Sequence, residues 1–412
     1  MSEAFRIFGV NILAYYIIIV LKKQDTNTDF SIIFYFLLSM EAHMKILHVI
    51  SDENIGGAGI LLINLLSLFD RELIESSVAL PANSQLKKRI EELGIQTFPL
   101  EQAVDRFSVS SVREIFECIK ETKADLVHSN AAVCARIAGK LCGIPVVHTR
   151  HCCYPPSWLW HVPVIKQIGG TFNRCLSDRV IATADAAAKN LRALGIPDQK
   201  ISVIINGSKP IRAANEHELL GIRESLGIEQ EDFLVGICGR LEECKGHKTF
   251  LKAAKLVLER CEGRKIKFLI IGEGSLRPTL EALCKELHIS HTVRFLGFVS
   301  DVAPYYRLMN INVSCSIGTE TSSLAISEGM SAGLPTIASA YGGNPAMIGD
   351  GRAGFLYPTK NEHALAECIL RIMSDGNLES SMRREALRRY QACYTAKRMA
   401  EEVTEVYKSI LI

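Results

Sequence analysis

The pattern of hydrophobic and polar positions is regular from Met44 to the end of the sequence. Short, apolar, β-rich runs alternate with longer amphipathic stretches such as 84–93 and 111–122. This alternation is typical of βα units that build a parallel sheet. The predicted strands are 45–50, 77–80, 125–128, 145–149, 179–183, 201–205, 233–238, 266–271, 292–296, 311–315 and 335–339. The pattern therefore predicts an α/β protein with two doubly wound sheets in series.

A polar segment separates the two series of strands. Residues 207–232 are rich in charge and contain no buried-strand pattern, so we place the interdomain linker near 208–215. The predicted domains are then 44–210 and 211–390, followed by a C-terminal helix within 391–412 that we expect to pack back on the N-terminal domain. Ligands of doubly wound sheets bind beyond the carboxyl ends of the strands, so the cleft between two such edges is the expected active site.

The N-terminal 43 residues do not fit this pattern. The stretches 7–21 and 30–40 are apolar and aromatic, but each is shorter than the roughly 20 residues that cross a bilayer. "MKILHVIS" at Met44 then has the pattern of a first strand. Residues 1–43 are either a membrane-associating extension or a stretch upstream of a true start at Met44.

Composition narrows the functional classes. The net charge is +2, which gives no reason to expect a nucleic-acid partner. The 13 cysteines are scattered and form no Cys-x-x-Cys pair. In a chain of this size they indicate reduced thiols in a cytoplasmic protein and no disulfide framework.

Glycines follow three of the predicted strands. Gly57 lies in "IGGAG", and Gly272 and Gly274 lie in "IGEGS". Glycine at a strand-to-helix turn lets backbone N–H groups approach an anion, although a plain tight turn explains each one equally well. Gly239 precedes Arg240 in "GRLEECKG", where Arg240 and Lys245 either converge on a diphosphate or belong to a solvated basic loop.

The stretch "GTETSSLAISEGMSAGLPTIAS" holds two glutamates eight positions apart, Glu320 and Glu328. On one helix they would lie about 12 Å apart along the axis, so they cannot both contact one small group. We expect Glu320 in a loop and Glu328 on the helix that follows. They then reach different parts of one ligand. The alternative is a surface glutamate and a paired core glutamate.

The start of that helix is a further candidate. We expect the side chain of Thr321, Ser322 or Ser323 to cap it, and we expect the helix to end at Gly333. The N–H groups of Leu324 and Ala325 would then point at an anion.

Two candidates lie after other strands. His151 follows the strand in "VVHTRH", where a cleft-facing histidine can contact a sugar hydroxyl or be merely structural. Val299, in "LGFVSD", is placed to form an apolar wall for a flat base.

Taken together, these motifs resemble the family 4 retaining nucleotide-sugar glycosyltransferases, which have the GT-B fold of two Rossmann-like domains facing a cleft. The similarity runs from about Met44 to Ile412 through "IGGAG", "VVHTRH", "VIATADAAAKNL", "VIINGSK", "GRLEECKG", "IGEGSLR", "VRFLGFVSDV" and "EGMSAGLPTIAS". It implies a hexosyltransferase that moves a sugar from a UDP- or GDP-sugar to an acceptor hydroxyl in polysaccharide or glycolipid assembly. A GT-B-fold nucleotide-sugar epimerase is the alternative.

The resemblance also implies a role for each candidate residue. The implied catalytic set is His151, Arg240, Lys245 and Glu320. The implied donor-binding set is Gly57, Gly239, Arg240, Lys245, Gly272, Gly274, Val299, Glu320, Leu324, Ala325 and Glu328. Arg240 and Lys245 hold the diphosphate and Glu328 the ribose hydroxyls. The sequence has no Asp-x-Asp, and no metal or other cofactor is expected.

Three departures from the family pattern concern specificity. Thr321-Ser322-Ser323 stands where Gly-Phe-Gly is usual, Ser208-Lys209 follows "NG" without an aspartate, and Ala346 stands where a glutamate is usual. The resemblance implies a saccharide or a lipid-linked acceptor. The cluster 87–89 and the tryptophans at 158 and 160 either contact the inner face of the membrane or serve a solvated face and core packing.

Overall fold

The computed structural model describes residues 43–101, 108–152, 163–261 and 263–412, with the backbone alone over 163–168. The N-terminal extension predicted over 1–43 lies outside the described residues except for His43. Trp158 and Trp160 also lie outside them. Within the described ranges, no helix has the length and apolar character needed to span a bilayer.

The first domain is a parallel sheet of seven strands in the order β3-β2-β1-β4-β5-β6-β7. Its strands are β1 (Met44–Ile50), β2 (Ile74–Pro81), β3 (Gln96–Leu100), β4 (Leu126–Asn130), β5 (Val146–Arg150), β6 (Arg179–Ala182) and β7 (Ile201–Val203). Its helices are α1 (Gly57–Leu66), α2 (Leu86–Glu91), α3 (Val109–Thr122), α4 (Val133–Leu141), α5 (Pro163–Cys175) and α6 (Asp185–Ala193).

The second domain is a parallel sheet of six strands in the order β10-β9-β8-β11-β12-β13. Its strands are β8 (Phe233–Cys238), β9 (Ile266–Ile271), β10 (Val293–Gly297), β11 (Ile311–Ser314), β12 (Thr336–Ser339) and β13 (Gly354–Tyr357). Its helices are α7 (Glu216–Leu226), α8 (His247–Leu258), α9 (Arg277–Glu286), α10 (Ala303–Leu308), α11 (Leu324–Ser331), α12 (Asn344–Ile348), α13 (Glu362–Ser374) and α14 (Gly376–Cys393).

Helices cover both faces of each sheet, as parallel sheets require. In β1, Leu47 packs in the core formed with α3 and α4, whereas Ile46 packs in the core on the opposite face. In β8, Val235 and Leu234 divide in the same way between two cores. The prediction of two doubly wound α/β domains is confirmed. Strands β3 and β13, both at sheet edges, were not predicted.

The chain crosses between the domains twice, and the two crossings are hydrogen-bonded to each other. The Ser208 N–H donates to the Tyr394 carbonyl at 3.0 Å, and the Ala396 N–H donates to the Ser208 carbonyl at 2.8 Å. A Cβ on Gly207 would lie 2.2 Å from the Thr395 carbonyl oxygen, so only glycine permits this approach.

The last helix, α15 (Ala396–Leu411), packs on the first domain. Its Val403 and Tyr407 belong to the same core cluster as Ile46 of β1. The Tyr407 hydroxyl and His128 Nδ1 of β4 are 2.5 Å apart. The first domain is therefore built from two separate segments of the chain.

Candidate functional site

The two glutamates of the sequence motif lie on either side of a helix start. Residues 315–323, which we call the Glu320 loop, connect β11 to α11, and Glu328 lies inside α11. Helix α11 begins at Leu324, with Ser323 as its N-cap residue. Among the described residues no side chain caps it, so the predicted cap by Thr321, Ser322 or Ser323 is wrong. The hydroxyl of Thr321 instead contacts the other domain.

The end of α11 lies near the predicted position. Its last helical residue is Ser331, and Gly333 follows in the left-handed region at φ +72°. Inside the helix, a Cβ on Gly329 would lie 2.4 Å from Asn312 Nδ2 of β11. That amide donates to the Ala325 carbonyl at 2.9 Å, so α11 packs unusually closely on the strand before it.

Glu320 and Lys245 form an ion pair at the carboxyl edge of the second sheet. Lys245 Nζ lies 2.7 Å from Glu320 Oε2, which also accepts from the Ser316 hydroxyl at 2.8 Å. Burial raises the pKa of Glu320, but the Lys245 charge and the hydrogen bonds from Lys245, Ser316 and the Thr321 N–H outweigh it, so the net pKa is lowered. The structure thus brings together a cation and a carboxylate that the sequence placed 75 residues apart.

Glu328 has a different environment. Glu328 as a whole is partly exposed, but its carboxyl group is buried and accepts a hydrogen bond from the Tyr306 hydroxyl at 3.2 Å. Burial raises the pKa of Glu328 to about 7, and the Tyr306 hydrogen bond acts in the opposite direction. A carboxylate in such a place gains from a ligand that donates hydrogen bonds to it.

The glycine turns of the second domain are close backbone contacts. A Cβ on Gly272, at φ +137°, would lie 2.1 Å from the Gly239 carbonyl oxygen. A Cβ on Gly274 would lie 2.6 Å from the Leu241 carbonyl oxygen. Packing between adjacent turns therefore accounts for Gly272 and Gly274 without a ligand.

Gly57 differs, because a Cβ there would meet no atom within 4 Å. It is exposed at the first turn of α1. On the facing domain, Arg240 is also exposed. Burial raises the pKa of Asp52, just after β1, and the positive charge of Arg240 partly offsets this. The carboxyl edges of the two sheets therefore face each other across the cleft, as expected.

His151 lies just after β5. Its Nε2 is 3.1 Å from Asn130 Oδ1, and burial lowers its pKa to about 4. A neutral ring with its proton on Nε2 leaves Nδ1 as an acceptor, and within the described ranges Nδ1 has no partner. The His151 carbonyl accepts a hydrogen bond from the Thr321 hydroxyl at 2.9 Å.

Val299 packs at the margin of the core that contains Tyr306 and Leu334. Phe298 beside it is 58% exposed. Sequence reasoning missed Tyr306, Asp52 and Thr183 as neighbours of the site. A tyrosine inside an apolar helix and a threonine after a strand carry no distinguishing pattern.

No group of three His, Cys, Asp or Glu side chains suited to a metal ion occurs among the residues that the structure describes. At this site the positive charges are Lys245 and Arg240, together with the first N–H groups of α11, which an α-helix cannot satisfy internally. This set suits a ligand that carries both phosphates and hydroxyls.

Two family models match the chain in agreement with this arrangement. The model for glycosyltransferase family 4 matches residues 55–210, and the model for glycosyl transferases group 1 matches residues 221–389. The chain belongs to the family 4 glycosyltransferases. It is therefore a transferase with the GT-B fold.

Named relatives agree with this membership. The chain is 28% identical to the glycosyltransferase EpsD of Bacillus subtilis over 74% of this chain and 82% of that protein. It is 27% identical to the UDP-Gal:α-D-GlcNAc-diphosphoundecaprenol α-1,3-galactosyltransferase of Escherichia coli, over 65% of this chain and 71% of that protein. The Anabaena protein Alr3699/HepE, solved with UDP-glucose, has a TM-score of 0.78 at 22% identity, over 89% of this chain and 100% of that one. At this identity the match shows the fold alone.

Proposed function

We propose that this glycosyltransferase moves a hexose-type sugar from a UDP- or GDP-sugar to an acceptor hydroxyl, with retention at the anomeric carbon. The observation that carries the proposal is the grouping of the Lys245–Glu320 pair, the start of α11 and Glu328 along one sheet edge. In the proposal the diphosphate lies at Lys245 and the start of α11, the sugar lies at Glu320, and the ribose lies at Glu328.

The proposed chemistry is stabilisation of the leaving diphosphate. Negative charge grows on that group as the bond to the sugar breaks, and preorganised cations and N–H groups lower the barrier. Lys245, Arg240 and the amides of Leu324 and Ala325 supply this charge in the proposal, without a metal ion. We therefore expect turnover to survive EDTA.

Retention follows the family resemblance and is supported by the state of Glu320. Its carboxylate is held by Lys245 and the Ser316 hydroxyl. A carboxylate engaged in this way is better suited to orient a sugar hydroxyl than to attack the anomeric carbon. We propose front-face attack by the acceptor, with His151 beside the transferred sugar.

The nucleotide is proposed from Glu328 and from the relatives. Ribose hydroxyls would supply the hydrogen bonds that the enclosed Glu328 carboxylate can accept. UDP-glucose is bound in the Anabaena structure, and the E. coli relative is named for UDP-galactose, so UDP-sugars are the first donors to test. GDP-sugars are the comparison set.

The acceptor is proposed to be a saccharide or a lipid-linked sugar in cell-envelope polysaccharide assembly. The E. coli relative is named for a diphosphoundecaprenol acceptor. Helix α2 carries Lys88 on the surface and Lys87 and Arg89 beside it, which would suit an anionic membrane face. We place the enzyme in the cytoplasm, in peripheral contact with the inner face of the membrane.

A donor screen tests the proposal. In a thermal shift assay with UDP, GDP, UDP-glucose, UDP-galactose and GDP-mannose, either the uridine or the guanosine nucleotides should raise the melting temperature. Lys245→Ala should abolish this increase. NMR of the product should then show the donor's α configuration. No shift with any nucleotide, an inverted product, or formation of an epimer from donor alone would contradict the proposal.

A further inference from the structure

The Thr321 hydroxyl joins the two domains at the centre of the site. It donates to the His151 carbonyl at 2.9 Å and lies 2.9 Å from the Thr183 hydroxyl. Thr183 Oγ1 is also 3.1 Å from the Arg150 carbonyl. Thr183, Arg150 and His151 belong to the first domain, whereas Thr321 belongs to the second.

Two hydroxyl hydrogens serve these three contacts. If Thr183 donates to Thr321, then Thr321 donates to the His151 carbonyl. If Thr183 donates to the Arg150 carbonyl, then Thr321 donates either to Thr183 or to His151. Every arrangement sends the Thr321 hydrogen to the first domain. Thr321 is 2% exposed and Thr183 is 1% exposed, so water cannot readily replace the lost partner.

The backbone at Gly343 also packs closely against Thr321. A Cβ on Gly343 would lie 1.6 Å from the Thr321 carbonyl oxygen and 3.1 Å from Ala184 Cβ of the first domain. Thr319, two residues earlier, has φ +56°, which is uncommon for a β-branched residue. The Glu320 loop is therefore closely packed around Thr321, and a shift at Thr321 would move its neighbour Glu320 as well.

We infer that Thr321 is an interdomain positioning residue. Its hydroxyl holds the loop that carries Glu320 against the end of β5, and so sets the distance between Glu320 and His151. The inference rests on the proposed function for the roles of Glu320 and His151. Thr321 acts through these two residues and has no direct contact with the substrates in the proposal. It also gives a physical role to the first residue of the unusual Thr-Ser-Ser triplet.

Hydrogen exchange of the full chain without ligand tests the contact itself. Thr321→Val keeps the shape of the side chain and removes its hydroxyl. We expect amide exchange at least about tenfold faster both in the Glu320 loop and at 149–152, because the two segments lose their mutual restraint. Thr183→Val should have a smaller effect, because Thr321 can still donate to the His151 carbonyl, and Thr321→Ser should keep wild-type exchange.

Thr292→Val is the matched control. Thr292 is 6% exposed and donates to the Ile289 carbonyl within the second domain, so its loss removes a buried hydroxyl that bridges nothing between domains. It should leave exchange at 149–152 unchanged. Wild-type exchange in Thr321→Val, or loosening of the Glu320 loop without any change at 149–152, would overturn the inference.

Kinetics supply the second measurement, with UDP-glucose as the probe. For Thr321→Val, the kcat for UDP release should fall at least about tenfold. The Kd for UDP should change less than about twofold, because every proposed donor-binding residue except Gly57 lies in the second domain. The double variant Thr183→Val/Thr321→Val should be no slower than Thr321→Val alone. Equal losses in kcat and UDP affinity would indicate a merely structural role. If wild type turns over no nucleotide sugar, the proposed function fails and the exchange experiment still decides the inference.

Discussion

Protonation of Glu328 is expected to control nucleotide binding near neutral pH. Its pKa is about 7 in the free protein because burial disfavours the charged form. Ribose hydroxyls that donate to the carboxylate favour that charged form, so binding lowers the pKa. The complex then holds fewer protons than the free protein, and binding must tighten as the pH rises through 7.

The size of the effect follows from this pKa. At pH 6 about nine-tenths of free Glu328 is protonated, and at pH 8 about one-tenth is. The Kd for UDP-glucose should therefore be about tenfold larger at pH 6 than at pH 8, a difference of about 1.4 kcal/mol in binding free energy. At pH 7, binding should release about half a proton per site.

Isothermal titration in buffers with different ionisation enthalpies measures both quantities. UDP-glucose is the suitable ligand because its diphosphate is a diester and stays fully ionised throughout this range. The nearby His151 and Glu320 do not interfere, since the His151 pKa is about 4 and the Glu320 pKa is lowered. Asp52 also lies at the cleft and burial raises its pKa, so a dependence between pH 6 and 8 is assigned to Glu328 by its loss in Glu328→Gln.

Two variants make the test decisive. Glu328→Gln should bind weakly with no proton release. Tyr306→Phe removes the hydrogen bond that lowers the Glu328 pKa, so the midpoint should move above pH 7. A wild-type Kd that changes less than about twofold between pH 6 and 8, or an unchanged pH dependence in Glu328→Gln, would refute the reasoning.

Three further outcomes are expected. Lys245→Ala should lower kcat by about 100-fold or more, the usual loss for one charge-stabilising donor. It should also raise the pKa of Glu320, because the buried carboxylate then lacks its counter-charge. Comparing the kcat of Lys245→Ala with that of Lys245→Arg checks this, and a wild-type kcat in Lys245→Ala would contradict it. His48→Leu should add about 1 kcal/mol to the free energy of unfolding, because within the described residues neither buried ring nitrogen has a partner. The same variant should lose less stability below pH 6.5. In wild type, the unfolded chain binds a proton at His48 there, but the folded protein does not, because burial lowers the His48 pKa to about 3. Urea unfolding at pH 7.5 and 5.5 checks both effects, and a lower midpoint for the variant at pH 7.5 would count against the prediction. Gly343→Ala should lose both stability and activity, because the new Cβ would lie 1.6 Å from the Thr321 carbonyl oxygen in the Glu320 loop. Gly57→Ala is the control: its Cβ meets no atom within 4 Å, so the melting temperature measured by circular dichroism should stay that of wild type.

Most of the strands that sequence reasoning found lie inside the sheets and are largely buried. Runs such as 233–238 and 266–271 are nearly continuous apolar segments, which few other structures explain. Strand β3 contains Pro99 and alternates between buried and exposed positions, and β13 has only two buried residues at its ends. Both are edge strands, but so are the predicted β7 and β10, so the edge position alone does not explain why β3 and β13 were missed.

For the site, the sequence predicted which residues lie at the carboxyl edge but not how they pair. The loop position of Glu320 and the helical position of Glu328 follow from local pattern and agree with the structure. The Lys245–Glu320 ion pair and the Thr321–His151 contact join residues 75 and 170 positions apart. The first pairing depends on β8 and β11 lying side by side in the second sheet, and the second depends on how the two domains meet. No local pattern encodes either arrangement.

The return of α15 to the first domain has a consequence for how the protein is made. Val403 and Tyr407 complete a core whose other members, such as Ile46, are synthesised far earlier. The second domain lies between these segments, so it emerges from the ribosome whole and can fold first. The first domain remains incomplete until residues 396–411 have been translated, and until then the nascent chain exposes an apolar sheet face to chaperones and proteases.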